Sequence, residues 1–445
     1  MLSQRAVAMA IIGLIGCGVS LRKPYLGLLM LVVLYFFRPD LWGAETHVKP
    51  VLWLTIALLV GWYGHRTAGR SSAALPWLIV LLSIYALSTA LGPFSDARSW
   101  LHLQDLAKVF VVVFLITELC DTPGKLAGLL AAMLVGNLWF VKVTLLGWLA
   151  AGLSDTVRID TAVGQGGGSN YIAWVLATTT PLLVFKIVRG AGWQRLAAAA
   201  MLPLWLASIL ATGSRGGMLC AAAGLFVLLM TMRQTRLLVT LVIIVALFLQ
   251  FAPSQRMQRA QTITLDPEKM DYSMLVRYQN AQMGLRMMAD RPLFGTGLGT
   301  FPKAKLGYLP RDYVGGKEHV AHNTLIQMGT EVGVVFLAAF LLLSLYVVLR
   351  LRSPTPDTFG EKDANHMEWV RTGMLAALGV TAVQALKGDM ARLDYFWWLY
   401  GISIAYHVVR TRAADAAMEA ERAAPKPKPK RVPPPWLAAR PEAGG

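Results

Sequence analysis

Apolar residues in this chain fall into long, almost unbroken runs, and the polar residues gather in the gaps between them. The runs cover about 5–20, 24–37, 50–63, 75–91, 100–118, 126–150, 170–188, 196–212, 215–232, 237–252, 321–349, 369–386 and 393–409. A helix needs about 20 apolar residues to cross the hydrocarbon core of a bilayer, so the first three runs are short and are expected to tilt, break or pair as hairpins. The pattern predicts an all-α polytopic membrane protein with about 12–13 transmembrane helices. One gap stands apart. Residues 253–320 form the longest polar excursion, and chemistry is expected in the stretch from Arg277 to Glu331.

Composition supports this reading. The 445 residues are 56% hydrophobic and 15% charged, with a mean hydropathy of +0.51, outside the range of a soluble domain. The net charge of +17 fits a positive-inside bias in the loops together with a site for an anionic ligand. No soluble basic domain is present to carry nucleic acid, which is therefore not an expected partner. Cys17, Cys120 and Cys220 lie in or beside apolar runs without paired spacing, so they read as packing residues rather than as a disulfide framework or metal cluster.

Short-loop cations orient the chain. Arg66 and Arg70, Lys125, Arg189 and Arg195, Arg233 and Arg236, Arg350 and Arg352, and the tail after Arg410 share one side, expected to be the cytoplasm. The external side receives 38–49, 92–99, 151–169, the Gly213–Gly217 turn, 253–320 and the Lys387–Arg392 turn. The start Leu14-Ile15-Gly16-Cys17 resembles a lipoprotein processing box, but that topology would invert every later loop. The expected organisation is N-terminal transmembrane helices over 1–150, a Gly-rich external loop at 151–169 and further helices over 170–252. A catalytic loop with amphipathic helices follows at 253–320, then C-terminal helices over 321–410 and a disordered basic tail at 411–445.

Several residues in this frame carry chemistry. In ATGSRGGM at 211–218, Ser214 is placed to cap a helix whose first turn holds Arg215 beside backbone N–H groups that can bind an anion. The external loop contributes Arg256, Arg259, Arg277, Arg286 and Arg291, whose guanidinium forks suit phosphate oxygens. Arg277 to Met288 reads as an amphipathic helix lying on the membrane with Arg277 turned inward. Pro292 ends that helix, and Gly295, Gly297 and Gly299 make a close-packed structural turn.

His322 is expected in the first turn of the next helix, where the dipole favours a neutral imidazole able to accept a proton. His319 is the rival. Asn323, Gln327 and Glu331 form a polar stripe that must face the interior or a wet cavity. Asp105 and Lys108, with His102 near them, read as an intramembrane pair. Lys142 is a candidate for a donor phosphate or for pairing with a carboxylate across helices, and Gly164–Gly168 for a flexible lip. No motif for a metal or a nucleotide occurs, so no cofactor is expected.

The order of these motifs resembles the O-antigen ligase and polymerase superfamily, especially its O-glycosylation ligase-like members. SRGG at 214–217, RAQT at 259–262, DYSMLVR ending at Arg277, DRPLFGTGLGTF at 290–301 and AHNTLIQMGTEVG at 321–333 carry the likeness. It implies a metal-independent, inverting membrane glycosyltransferase of GT-C-like architecture in the bacterial inner membrane. Such an enzyme moves a glycan from undecaprenyl diphosphate to a hydroxyl of a glycan, lipid A core or protein on the periplasmic side. Arg215, Arg259 and Arg277 would hold the diphosphate and His322 would deprotonate the acceptor. The chain departs from the superfamily at Tyr278–Ala281, where a Trp is usual. A polymerase, a protein O-oligosaccharyltransferase, and a transporter or lipid-linked glycan flippase are the competing readings.

Overall fold

A computed structural model of the chain describes residues 4–37, 50–66, 72–153, 168–240, 266, 270 and 272–423, and among these there is no strand. The first half contains α1 (Gln4–Arg22), α2 (Pro24–Phe37), α3 (Pro50–His65), α4 (Leu75–Leu91), α5 (Ala97–Leu119) and α6 (Pro123–Ala150). Next come α7 (Ser169–Arg189), α8 (Gly192–Ala211) and α9 (Arg215–Thr231). After the polar excursion begins, the chain forms α10 (Tyr272–Asp290), a single turn α11 (Phe301–Ala304), α12 (Thr324–Val332), α13 (Val334–Arg352), α14 (Glu361–Ala385) and α15 (Asp394–Ala423). The protein is an all-α polytopic membrane protein. Among the described residues five helices, α5, α6, α7, α8 and α13, are long and apolar enough to cross a membrane, while α2, α3, α4, α9 and part of α1 are shorter apolar helices.

Local sequence accounts for the boundaries. α5 starts at Asp96, whose carboxylate accepts from the backbone of Arg98 and Ser99 in a capping box. Thr122 caps α6, with Pro123 at its first position. The helices α1, α2 and α3 pack mainly on one another, and α2 joins them to α6. A second group brings α7, α8, α9 and α14 together, and α15 lies along α5. Large aromatic side chains fill the centre: Phe36, Trp397, Trp398 and Tyr395 are almost completely buried, and Phe36 meets Phe140 edge to face at 5.8 Å.

Two expectations change. The run 321–349 is not one helix, because Gly333 breaks it with φ 96°, and hydropathy cannot register a break flanked by apolar residues on both sides. The last helix continues to Ala423, beyond the start of the tail expected to be disordered. Its end reads TRAADAAMEAERA, rich in strong helix formers with no proline before Pro425. The remainder of the tail lies outside the described residues, as do most of 253–271 and most of the glycine lip at 164–168.

Candidate functional site

The break at Gly333 organises the long polar loop. Ending α12 there leaves its last carbonyls without partners inside the helix. The turn after α10 supplies donors: Thr296 N–H donates to Thr330 O and Gly297 N–H to Glu331 O, both at 2.9 Å. On the other side of the break, Val334 N–H donates to Pro292 O at 2.7 Å. A Cβ on Gly295 would lie 2.5 Å from Thr330 O, and one on Gly297 2.2 Å from Ser95 Oγ. Both glycines also hold positive φ, so close approach and backbone conformation together require them.

Glu331 completes this junction. Its buried carboxylate accepts Gly299 N–H at 2.9 Å and Phe301 N–H at 3.1 Å, and also accepts from the Gln327 amide. Gln327 in turn accepts Ala321 N–H at 2.8 Å. Gln327 and Glu331 of the expected polar stripe thus face inward, and their polar atoms hold the loop.

Residues 311–323 are fastened from beneath. On α10, Gln279 donates to Asp312 O and accepts from Val314 N–H, while Asn280 donates to Val320 O and accepts the Tyr313 hydroxyl. The buried face of α10 carries these amides beside Val276, Met283 and Met287, and it packs on α12 and the loop. Lys305 has no exposed surface, and its ammonium donates to Tyr313 Oη at 2.9 Å, Gly316 O at 3.0 Å and His319 O at 2.7 Å. Burial pulls the Lys305 ammonium down to about 8. Nothing in the sequence marked it, since a lysine in a polar loop reads as solvated.

This platform carries His322. The histidine precedes the helix rather than joining its first turn: Asn323 is the N-cap, accepting from Leu325 and Ile326 N–H, and His322 stands before it with φ 54°. Burial pulls the imidazole down to about 4, assisted by the nearby cationic Arg277 and by His319. The neutral state expected from a helix dipole therefore has another main cause. His319 is differently engaged, because its Nδ1 accepts Gly316 N–H at 3.2 Å.

The remaining candidates separate. Ser214 caps α9 by accepting Gly217 N–H at 3.0 Å and donates to Asn170 Oδ1 at 2.7 Å, which leaves Arg215 exposed in the first turn. Beside it, a Cβ on Gly216 would fall on the Lys387 ammonium. Lys387 belongs to the turn between α14 and α15, and the same turn meets the start of α12 where Thr324 Oγ1 donates to Gly388 O at 2.6 Å. It also holds Arg392, which binds Asp389 at 3.3 Å and approaches His102 Nε2 at 3.2 Å.

Sequence reading placed the Lys387–Arg392 turn on the external side but gave its charges no role. Arg286 and Arg291 are exposed. Lys142 lies over the Trp139 ring at 4.9 Å on an exposed face of α6. Asp105 and Lys108 pair with each other at 2.9 Å. Arg256 and Arg259 lie outside the described residues. Among the described residues no three His, Cys, Asp or Glu side chains form a metal-binding group.

Fold and site together define a multi-pass membrane protein whose cation-rich polar loop is fastened onto the end of its helical bundle. Residues 198–341 match the model of the O-antigen ligase family, a span that contains Arg215, Arg277 and His322. About a third of the chain is therefore similar to that family, a likeness that supports a membrane role in joining or polymerising glycans. No curated protein matches the chain.

Proposed function

We propose that the protein transfers a glycan from undecaprenyl diphosphate to an acceptor hydroxyl at the periplasmic face of the bacterial inner membrane, inverting the anomeric carbon without a metal. The observation that carries this reading is His322, held neutral beside Arg277 on a loop fixed by Lys305, Gln279 and Asn280. Its imidazole takes the acceptor proton as the hydroxyl oxygen bonds to the anomeric carbon. The bond from that carbon to the diphosphate breaks as the new one forms, and the electron pair leaves with the diphosphate. Arg215 and Arg277 stabilise the growing negative charge, and Arg259 is assigned the same role by the superfamily motif. Lys387, beside Gly216, adds a cation to the Arg215 corner.

Lipid A core is the proposed acceptor, with a protein or a glycan end as the alternatives within the same chemistry. The test is transfer of lipid-linked glycan by purified protein in the presence of a chelator. Wild type should turn over, and His322→Ala should bind the donor without transferring it. Wild-type turnover by the histidine variant would refute the base assignment. In a deletion strain, loss of long-chain lipopolysaccharide with accumulation of carrier-linked glycan marks a ligase. Single-repeat products would instead mark a polymerase, and unmodified glycoprotein a protein transferase.

A further inference from the structure

A second site lies at the far end of the bundle. α4 runs toward the polar loop and α5 away from it: Gly92 at the end of α4 touches Gly297, and α5 departs from Asp96, which pairs with Lys303 at 3.5 Å. The 23 residues of α5 carry the chain about 34 Å at 1.5 Å per residue. There, between the start of α2, the end of α3, the start of α4 and the junction of α5 with α6, a cavity of about 1280 Å³ opens.

The cavity is amphipathic. Apolar side chains from α2 and α4 line it, and several of them, including Leu26, Ile79 and Val80, are exposed on the outer surface of the bundle. Lys23, Arg66 and Glu118 bring charges of both signs. The acid at the α5–α6 junction is already used, because Asp121 pairs with Lys125 at 2.7 Å. Among the described residues Glu118 has no ion-pair partner, nor have Lys23 and Arg66. Arg66 lies over the Tyr63 ring at 4.1 Å and 6.0 Å from the centre of Trp62, which places its guanidinium in an aromatic belt of the kind found at a membrane interface.

We infer that this cavity binds a zwitterionic aminophospholipid, with Lys23 and Arg66 on its phosphate, Glu118 on its ammonium and the acyl chains against α2 and α4. Basic pockets between transmembrane helices hold lipid phosphates, and the unpaired acid selects a headgroup that also carries a positive charge. A purely anionic headgroup meets Glu118 as a repulsion. The bound lipid bridges the mutually packed helices α1–α3 to α4, α5 and α6, a role separate from the transfer reaction.

The test is thermal unfolding of the full-length protein in detergent supplemented with phosphatidylethanolamine, phosphatidylglycerol, phosphatidylcholine or inorganic phosphate. Phosphatidylethanolamine should raise the midpoint most, and phosphate should leave it unchanged. Glu118→Gln should abolish the preference for phosphatidylethanolamine over phosphatidylglycerol, and Lys23→Ala with Arg66→Ala should abolish both shifts. Should the double variant fail to fold, native mass spectrometry of wild type and Glu118→Gln replaces it, with retained phosphatidylethanolamine expected on wild type alone. An equal or larger shift with phosphatidylglycerol, a shift with phosphate alone, or an unchanged preference in Glu118→Gln overturns the assignment.

Discussion

The two ends of α12 use polar groups in opposite ways. At the C-terminal end, the carbonyls of Thr330 and Glu331 and the Glu331 carboxylate are occupied by donors from the glycine turn and from Gln327. At the N-terminal end, His322 sits in a left-handed conformation beside Arg277, its imidazole kept neutral by burial and neighbouring charge. One end is given over to cohesion, and the other is the end where the proposed reaction places its base. Polar residues eight or nine positions apart on one segment therefore predict different consequences when changed.

The largest effect expected is on turnover. His322→Ala removes the proposed base and should lower transfer by roughly 100-fold to 10,000-fold while leaving the unfolding temperature near wild type. A full loss of folded protein in that variant would erase the contrast. Glu331→Ala should act in the reverse sense. It strands the buried N–H groups of Gly299 and Phe301, each unsatisfied donor costing about 1–3 kcal/mol, so thermal unfolding should fall sharply. Unchanged stability would show that the junction is not held by this carboxylate.

Arg277→Gln sharpens the comparison at the histidine end. With the guanidinium gone, the imidazole pKa should rise from about 4, and the acid limb of kcat/KM should move to higher pH as KM for the donor increases. An unmoved limb would exclude Arg277 as a neighbour of the base. The smallest effect concerns stability. The folded state holds the His322 pKa at about 4, below the usual value near 6.5 in an unfolded chain. The unfolded state then binds more protons between those values, so this histidine makes stability rise as pH increases from about 4 to about 6.5. In His322→Ala the slope of unfolding free energy against pH should flatten across that window.

Much of this was legible in the sequence, and the reasons differ by residue. Ser214 announced its cap because a serine at the edge of an apolar run has few other uses. The boundaries of α2 and α4 followed directly from hydropathy. Gly333 stayed hidden because apolar residues on both sides mask a break whose partners, Pro292 and Thr296, lie some forty positions earlier. The buried Lys305 and the Lys387–Arg392 turn escaped for a related reason. Their importance rests on contacts between distant segments, and no local pattern encodes those.

The backbone at position 322 also decides which inactive enzyme is worth making. At φ 54° the chain favours glycine, asparagine, aspartate and histidine over branched or bulky residues. Asparagine keeps that conformation while removing the proton acceptor. On the proposed mechanism, His322→Asn is thus the choice for a substrate trap, a folded protein expected to capture donor and acceptor together and hold them long enough to be imaged.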